Sequence, residues 1–341
     1  MRFGPDVSDG EGPGPGKRGG AGRGGRVRCV AVALIIRDYV TGDAEAVVGM
    51  LRETAPYLVT SPRAVRAQVA DAPARQHYRL LMAEDGGRAV GCARVGLFAD
   101  TGDPGLAFAN LNVLPRDRGR GTGSALLAAA ESHLTGVGAT TVYAWAGDEP
   151  AAHAFAARHG FRRGRSASFL RLDLAAGGPL PARPDVAEGV RLLAASLWAD
   201  DPRPLYEADL ESFRDEPGDV ESAAISLSDW RALTWDRPDF DADLSTVAVV
   251  DGAVAAVVIV QTDGEGRYWS GGTGTRRAYR GRGLAKATKA RSLHLARAVG
   301  LHTAYTSNDD GNLPMLAVNR WLGYEPCGTE WRYIRDLTDR A

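Results

Sequence analysis

Apolar residues recur along this chain with two periods, and each change of period marks a boundary between a predicted strand and a predicted helix. Alternating or continuous apolar runs predict strands, whereas apolar residues three and four positions apart predict helices. From about residue 27 to residue 174 the predicted order is strand, helix, hairpin, strand, helix, strand, helix and strand. The segments are VAVALIIRDY, DAEAVVGMLRETAP, YRLLMAED with AVGCARVGLF, GLAFANLNVL, GSALLAAAESHL, TTVYAWA, PAAHAFAARHG and SFLRLDL.

A similar order of elements follows residue 190. The corresponding segments are GVRLLA, a helical region, STVAVVD with AVAAVVIVQT, RYWSGGTGT, KATKARSLHLARAVG, HTAYTS, PMLAVNRWLG and EWRYIRDL. Between the two series, Ala175–Gly189 is rich in Pro and Gly, which stop both helices and strands, so we expect a linker at 175–189. Residues 1–26 are almost entirely Gly, Pro, Arg and acidic residues, and we expect a disordered tail there.

The pattern therefore predicts an α/β protein with two tandem domains, 27–174 and 190–341, each a mixed, largely antiparallel central sheet flanked by helices. Two landmarks support a duplication. The pattern Arg-x-x-Gly-x-small occurs at Arg118–Gly123, here called the first loop, and again 162 residues later at Arg280–Ala285, the second loop. The pair Gly160-Phe161 returns 163 residues later as Gly323-Tyr324. Two landmarks with nearly one offset indicate an internal repeat.

Each loop lies between a predicted strand and a predicted helix, which indicates an anion-binding site. A helix N-terminus presents unpaired backbone N–H groups and the positive end of the helix dipole. Neighbouring glycines let an anion approach the backbone, and arginines add charge-assisted hydrogen bonds. Neither loop matches G-x-x-x-x-G-K-[ST], and neither follows the leading strand as the dinucleotide fingerprint requires. The loops therefore predict a phosphate cradle of another kind.

The segments VLPRDRGRGTG and TRRAYRGRGLA resemble the pyrophosphate loop of the GNAT (GCN5-related N-acetyltransferase) superfamily, whose core is Gln/Arg-x-x-Gly-x-Gly/Ala. The HGF and LGY landmarks are similar to the end-of-helix motif of that family. The resemblance covers about residues 27–175 and 188–341, and the doubled arrangement is similar to tandem members such as mycothiol synthase and actinobacterial secondary-metabolite acetyltransferases.

The resemblance implies that acetyl-CoA is the acetyl donor and lies where the strand before each loop separates from its neighbour. Lys286 and Lys289, just after the second loop, are one helical turn apart and would reach the 3′-phosphate of the cofactor, although solubility explains them equally well. The implied cofactor-binding residues are Thr273, Thr275, Arg280, Gly281, Arg282, Gly283, Leu284, Ala285, Asn308, Asn312, Val113, Arg118, Gly119, Arg120, Gly121, Thr122, Gly123 and Ser124.

Direct transfer to an amine needs a base for the amine and an acid for the thiolate. Many members of the family use a Tyr four residues before the Gly of the GF motif as the acid, but Ala156 and Asn319 occupy those positions here. The catalytic residues therefore stay unassigned. The candidates that the sequence offers are Tyr305 and Tyr324 as acids and Asp309, Asp310, Glu325 and Glu330 as bases.

The second half retains features that the first half lacks. Asn308 and Asn312 precede its last helix, where many family members place an Asn that contacts the cofactor, and the strand YWSGGTGT carries hydroxyls suited to a wet groove. We therefore expect the C-terminal domain to be the main catalytic unit. The first domain is left with three alternatives: it binds acetyl-CoA, it is a degenerate scaffold, or it shapes the substrate site.

Composition narrows the remaining functional classes and cellular locations. The formal net charge of −1 gives no global attraction to nucleic acid, so RNA binding would rest on the Arg/Gly tail alone. Cys29, Cys92 and Cys327 are far apart, so we expect neither a disulfide framework nor a metal site and place the chain in the cytoplasm. No apolar run is long enough for a membrane span.

The sequence thus predicts an acetyl-CoA-dependent N-acetyltransferase for the primary amine of a small molecule, an antibiotic or a metabolite, acting as a monomer or homodimer. Two alternatives stay open. One is acetylation of a cysteinyl amine, as in mycothiol synthase. The other, kept open by the missing Tyr, is a catalytically weak acyl-CoA-binding or sensor protein.

Overall fold

The computed structural model describes residues 34–175, 178, 180–214, 219, 220 and 223–338, so the predicted tail 1–26 lies outside the described residues. The helices are α1 Ala44–Thr54, α2 Pro62–Ala70, α3 Thr122–Gly136, α4 Pro150–Arg158, α5 Arg203–Phe213, α6 Leu227–Trp230, α7 Leu284–Ala298 and α8 Leu313–Trp321. The strands are β1 Ile35–Asp38, β2 Arg79–Asp85, β3 Arg88–Leu97, β4 Leu106–Val113, β5 Thr141–Gly147, β6 Arg162–Asp173, β7 Val190–Ala194, β8 Thr246–Val250, β9 Ala253–Thr262, β10 Arg267–Thr275, β11 Thr303–Asp309 and β12 Glu325–Asp336.

All the described strands join one sheet in the order β1-β2-β3-β4-β5-β12-β6-β11-β10-β9-β8-β7. The pairs β4–β5 and β10–β11 are parallel, and the other neighbours are antiparallel. The prediction of two tandem, largely antiparallel α/β units is confirmed. The first half (34–175) supplies six strands and the second half (190–338) the other six, in matching order.

The closing strands of the two halves are exchanged. β6 ends the first half but pairs with β11 of the second, and β12 ends the second half but pairs with β5 of the first. The two exchanged strands also pair with each other along most of their length. The sheet therefore has no seam between the halves, and residues of β12 lie beside strands of the first half.

Each face of the sheet is covered by helices from both halves. On one face α3 packs over β2, β3 and β4, α4 over β5 and β12, α7 over β8, β9 and β10, and α8 beside β6 and β11. On the other face α1 packs over β2 and β3, and α5 and α6 pack over β8 and β9. α2 lies beside α1 and was not part of the predicted pattern. None of the described helices is long and apolar enough to cross a membrane.

Candidate functional site

In the second half, two neighbouring parallel strands separate after a short paired stretch. β10 and β11 pair from Arg267–Ser270 to Thr303–Thr306, and beyond this point they run on without pairing to each other. At the last pair the Thr306 hydroxyl donates to the Ser270 carbonyl oxygen at 3.1 Å. The strands therefore form a V-shaped opening with its vertex at Ser270 and Thr306.

The second loop follows β10 and has an open backbone where the sequence predicts a phosphate cradle. Gly281 and Gly283 have φ values of 77° and 72°, a conformation that side chains rarely adopt. A Cβ atom at either glycine would meet nothing within 4 Å, so the space above the backbone is open. α7, 15 residues long, begins directly after Gly283 and directs its N-terminal N–H groups toward that space. The geometry fits a pyrophosphate group.

The first half repeats this geometry. β4 and β5 pair only from Leu106–Phe108 to Thr141–Tyr143 before they separate. Gly119 and Gly121 have φ values of 75° and 87°, and a Cβ atom there would also meet nothing within 4 Å. α3 begins directly after Gly121. The chain thus carries two V-shaped openings, each followed by an open cradle at a helix N-terminus.

The electrostatic surroundings of the two loops differ. Arg118 forms an ion pair with Glu149 at 2.7 Å, and Arg120 lies 3.9 Å from the buried carboxylate of Asp117. Arg88 donates twice to the same Asp117 carboxylate, which holds its pKa below the usual range. In the second half the residue at the Asp117 position is Tyr279, and Arg282 lies over its ring at 5.6 Å.

The contact of Arg282 is more favourable to a bound anion than that of Arg120, while Glu211 pairs with Arg276 and accepts from the Arg277 N–H just before the second loop. A carboxylate beside Arg120 offsets part of the positive charge that would attract a phosphate, whereas the neutral ring of Tyr279 leaves the charge of Arg282 in place. Arg280 uses its Nε to donate to the Thr275 carbonyl oxygen at 3.1 Å, which fixes the loop to the end of β10. Arg118 makes the same contact to Val113 in the first half.

The other predicted cofactor residues are distributed around the two openings. Thr273 and Thr275 lie half-buried on β10 beyond the vertex, and the Thr273 hydroxyl is 3.1 Å from that of Ser270. Leu284 is buried and Ala285 half-buried in the first turn of α7. The corresponding first-half positions are Thr122, which is buried, Gly123, which packs against Phe155, and Ser124, whose hydroxyl is 3.0 Å from His159 Nε2.

The two predicted asparagines have separate roles in the fold. Asn312 caps α8, since its side-chain oxygen accepts from the Met315 N–H at 3.3 Å. Asn308 is near the end of β11, and its side-chain oxygen accepts from Asn319 at 2.6 Å. Asn319 therefore connects the end of β11 to α8 and is itself completely buried.

The two lysines after the second loop lie in different environments. Lys286 places its ammonium group over the Trp321 ring at 3.5 Å on the protein surface. Lys289 is only 1 % exposed, so it cannot reach a phosphate in solvent as the sequence suggested. Its Nζ donates to Asn319 Oδ1 at 2.7 Å and to Thr306 Oγ1 at 3.2 Å. Burial lowers the pKa of Lys289 to about 7.

We call Lys289, Thr306, Asn308 and Asn319 the Lys289 cluster. The matching residues of the first half are all apolar. The strand and helix pairs align with offsets of 162 and 163 residues, so the counterparts are Leu127, Ala144, Ala146 and Ala156. Leu127 and Ala156 are core residues there. Aligning the two halves position by position would have predicted the burial of Lys289 from the sequence. Its counterpart is a leucine, and a leucine at that helix position predicts an inward side chain.

Three of the six catalytic candidates from the sequence, Tyr324, Tyr305 and Glu330, do not come together. Tyr324 is buried, its ring centre lies 5.1 Å from Lys289 Nζ, and its hydroxyl has no partner among the described residues. Tyr305 packs on the opposite face of the sheet with Trp269. Glu330 lies opposite Gly147 of β5, in the first half, because of the strand exchange.

Glu330 accepts a hydrogen bond from the Tyr57 hydroxyl at 2.8 Å. Burial raises the pKa of this carboxyl, and the hydrogen bond from Tyr57 opposes that effect. Tyr57 in turn packs against Phe169 of β6 in a tilted arrangement with ring centres 4.0 Å apart. Tyr57, Phe169, Trp269 and Tyr305 form a shared aromatic cluster to which both halves contribute, on the sheet face opposite α7 and α8.

A further polar chain in the first half was not anticipated. His153 on α4 lies 2.6 Å from the Tyr333 hydroxyl through Nδ1 and 2.9 Å from Asp148 through Nε2. Trp331 also donates to Asp148 at 3.0 Å. Tyr333 and Trp331 come from β12, so this chain also depends on the strand exchange, which the sequence pattern does not disclose.

A cradle at a helix N-terminus beside two separating parallel strands, present twice in one sheet, defines a class of coenzyme A-dependent acetyltransferases. The sequence model of the acetyltransferase (GNAT) family matches residues 46–161 and 203–324. The chain therefore belongs to the GNAT acetyltransferase family, and it is an N-acetyltransferase that uses acetyl-CoA as its acetyl donor.

Curated relatives and solved structures agree with this assignment. The chain is 29 % identical over 330 residues to the mycothiol acetyltransferase of Thermobifida fusca, covering 91 % of this chain and 96 % of the relative. It is 30 % identical over 229 residues to that of a Nocardioides species, covering 63 % and 75 %. Among structures, a tandem GNAT protein from the clavulanic acid biosynthesis pathway has a TM-score of 0.67 at 24 % identity, covering 89 % of this chain and 99 % of that one. A GCN5-related N-acetyltransferase from Sphaerobacter thermophilus has a TM-score of 0.67 at 21 % identity, covering 89 % and 96 %.

Proposed function

We propose that this protein transfers the acetyl group of acetyl-CoA to the primary amine of a small molecule, and that the second half performs the reaction. The observation that carries the proposal is the second loop with its adjoining V-shaped opening. Its glycines leave the backbone open, α7 supplies N–H groups, and Arg282 faces a neutral ring where Arg120 faces a carboxylate. Acetyl-CoA supplies an activated acetyl group, and Arg280, Gly281, Arg282 and Gly283 would hold its pyrophosphate.

The acceptor amine is proposed to approach from the sheet face that carries Trp269 and Tyr305. The opposite face is covered by α7, α8 and their core. Trp269 and Tyr305 are only half-buried and lie one residue before the vertex of the opening. Tyr57 from the first half packs beside them, so both halves would shape the acceptor site.

The placement of acetyl-CoA is tested by Gly283→Glu, which puts a carboxylate in the second loop. We expect the affinity for acetyl-CoA, measured by calorimetry, to fall at least tenfold, which corresponds to about 1.4 kcal/mol or more. Gly300→Glu is the matched control, because Gly300 has a φ of 86°, open space around its Cβ position and a place just beyond the C-terminal end of the same helix. Both variants carry the same backbone strain, and only the first affects the cradle.

The same substitution in the first loop, Gly121→Glu, separates the two halves. If the second half is the catalytic unit, Gly121→Glu should leave most of the CoA release intact, and Gly283→Glu should abolish it. Unchanged acetyl-CoA binding in both variants would refute the assignment of the loops. Loss of activity in Gly121→Glu but not in Gly283→Glu would indicate that the first half catalyses the reaction.

A second candidate is acetylation of a cysteinyl amine, which the curated relatives favour because they are named mycothiol acetyltransferases. A panel of primary amines, with and without a cysteinyl group, distinguishes the candidates when CoA release is followed with a thiol reagent. Preference for the cysteinyl amines would select the second candidate. Acetyl-CoA binding without CoA release for any amine would instead indicate a sensor.

A further inference from the structure

Lys289 lies at the vertex of the second V-shaped opening. Its Nζ donates to the Thr306 hydroxyl, which in turn donates to the Ser270 carbonyl at the point where β10 and β11 part. The second loop lies beyond the other end of the opening, after Thr275. A cofactor held by that loop and extended along β10 would bring its thioester end toward the vertex, and thus toward Lys289.

The hydrogen bonds of Lys289 leave one proton unmatched. A protonated lysine has three N–H donors and no acceptor. Two of the donors meet neutral oxygens, Asn319 Oδ1 and Thr306 Oγ1. The remaining contact is the ring of Tyr324 at 5.1 Å, and no ion pair to Lys289 occurs among the described residues. The neutral amine, with two N–H groups, would keep both hydrogen bonds after giving its third proton away.

We propose that Lys289 is the proton donor to the thiolate of coenzyme A in the second half, held in place by Asn319 and Thr306. In this step Lys289 gives a proton to the sulfur as the bond between sulfur and acetyl carbon breaks and the new nitrogen–carbon bond forms. The proton that the acceptor nitrogen loses returns to the lysine through water. An amine and a thioester thus become an amide and a thiol, and the enzyme is unchanged. This inference rests on the proposed placement of acetyl-CoA.

The surroundings of Lys289 suit this role. Burial lowers its pKa to about 7, and no described carboxylate opposes that effect. The polar groups that face it are neutral: Thr306 and Asn308 from β11, Asn319 from α8 and Tyr324 after α8. Burial holds the pKa of Tyr324 well above its usual value, so Tyr324 stays protonated. A donor whose pKa lies near the working pH gives and regains its proton most efficiently.

The first half provides an internal comparison. The same helix position holds Leu127, and the residues around it are alanines. The fold therefore packs well with an apolar residue at this position, so a lysine is not required for structure. A buried amine that remains in only one of two copies indicates a chemical role in that copy.

Nuclear magnetic resonance tests the assignment without an acceptor amine, because the chain contains only three lysines, Lys17, Lys286 and Lys289. In protein labelled with ¹³C-lysine, the signal absent from Lys289→Met should titrate near pH 7. Adding CoA should raise the pKa of that lysine, because a thiolate beside it favours the charged form. Desulfo-CoA, which lacks the sulfur, should not. Equal responses to CoA and desulfo-CoA, or an ordinary lysine titration, would overturn the proposal.

Kinetics give the second readout. In Lys289→Met we expect kcat to fall about 10²- to 10⁴-fold, the usual contribution of a general acid. The calorimetric affinity for acetyl-CoA should change little, and the decline of kcat above pH 7 in the wild type should disappear. Leu127→Met, at the same helix position in the first half, should keep the wild-type kcat because the volumes are similar.

The outcomes separate this inference from the proposed function. If Gly283→Glu binds acetyl-CoA as tightly as the wild type does, the proposed function is contradicted. Suppose instead that the wild type is active and that Gly283→Glu lowers its acetyl-CoA affinity as expected. An undiminished kcat in Lys289→Met would then contradict only the role of Lys289.

Discussion

At the scale of single residues, the duplication makes the differences between the halves informative. Lys289 and Leu127 occupy the same position of matching helices, and Tyr279 and Asp117 the same position of matching loops. In each pair the backbone is alike, so the side chain alone sets the local chemistry. The second half gains a buried amine and has the neutral ring of Tyr279 where the first half has the carboxylate of Asp117. The first half gains an ion pair between Arg88 and the buried carboxylate of Asp117, and an apolar core.

Glu330 gives a prediction for the pH dependence of stability. Its folded-state pKa is raised by burial, so above that pKa the native state carries a desolvated carboxylate. The unfolded state binds fewer protons than the native state in this window, and stability therefore falls as the pH rises. Glu330→Gln keeps an acceptor for Tyr57 without the charge. We expect the variant to gain stability relative to the wild type as the pH is raised from 4 to 8, measured by urea unfolding.

The control for this prediction is Tyr57→Phe, which removes the hydrogen bond that favours the Glu330 carboxylate. It should increase the pH dependence that Glu330→Gln removes. A stability difference between Glu330→Gln and wild type that is constant with pH would contradict the assigned burial of Glu330.

At the scale of elements, most of the helices and strands were predictable from the apolar period. The strand around each loop, the helix after it and the closing strands all lie close to their predicted segments. α2 was missed because its short sequence, PRAVRAQVA, has few large apolar residues. The position of α5 against β10 was not predictable either, since it depends on a contact between elements far apart in the chain.

That contact yields a prediction about packing. Gly274 of β10 is so close to α5 that a Cβ atom there would lie 2.3 Å from the Ser212 Cβ. Gly274→Ala should force α5 away from the strand and lower the free energy of unfolding by about 1–3 kcal/mol. Chemical denaturation measures the change. Gly147→Ala, at the end of β5 with open space around its Cβ position, is the control and should change the stability much less. Equal effects would show that the contact is not tight.

At the scale of the whole molecule, the exchange of β6 and β12 binds the halves into one folding unit. β12 pairs on both sides with strands of the first half, and Tyr333 and Ile334 of β12 are buried there. The domain boundaries at 174 and 190 stay predictions about sequence units. The exchange nevertheless means that a cut in the linker would not yield two complete sheets.

We therefore expect the fragments 1–182 and 183–341 to copurify when they are expressed together with a tag on only one of them. The cut lies between exposed linker residues, so the pairing of β6 and β12 should survive it. The complex should unfold in a single transition by circular dichroism. Either fragment alone lacks the exchanged strand that the other fragment supplies to its sheet, and it should aggregate or be less stable than the complex. Two fragments that are each stable monomers and do not associate would contradict the exchange as a source of stability.

The sequence by itself determined the order of elements, the duplication, the two loops and, through them, the acetyl donor. These features are local: apolar period, glycine and arginine spacing, and offsets between repeats are all written in neighbouring residues. Only the tertiary structure decided that Glu330 lies beside β5 of the first half and that Lys289 points to the vertex of the second opening. Strand exchange pairs residues such as Thr303 with Asp173 and Glu330 with Gly147, which are far apart in the chain, and no local pattern encodes that pairing. Burial of Lys289 likewise depends on β11 and α8 closing over it, which turns an ordinary helix lysine into a proton donor candidate.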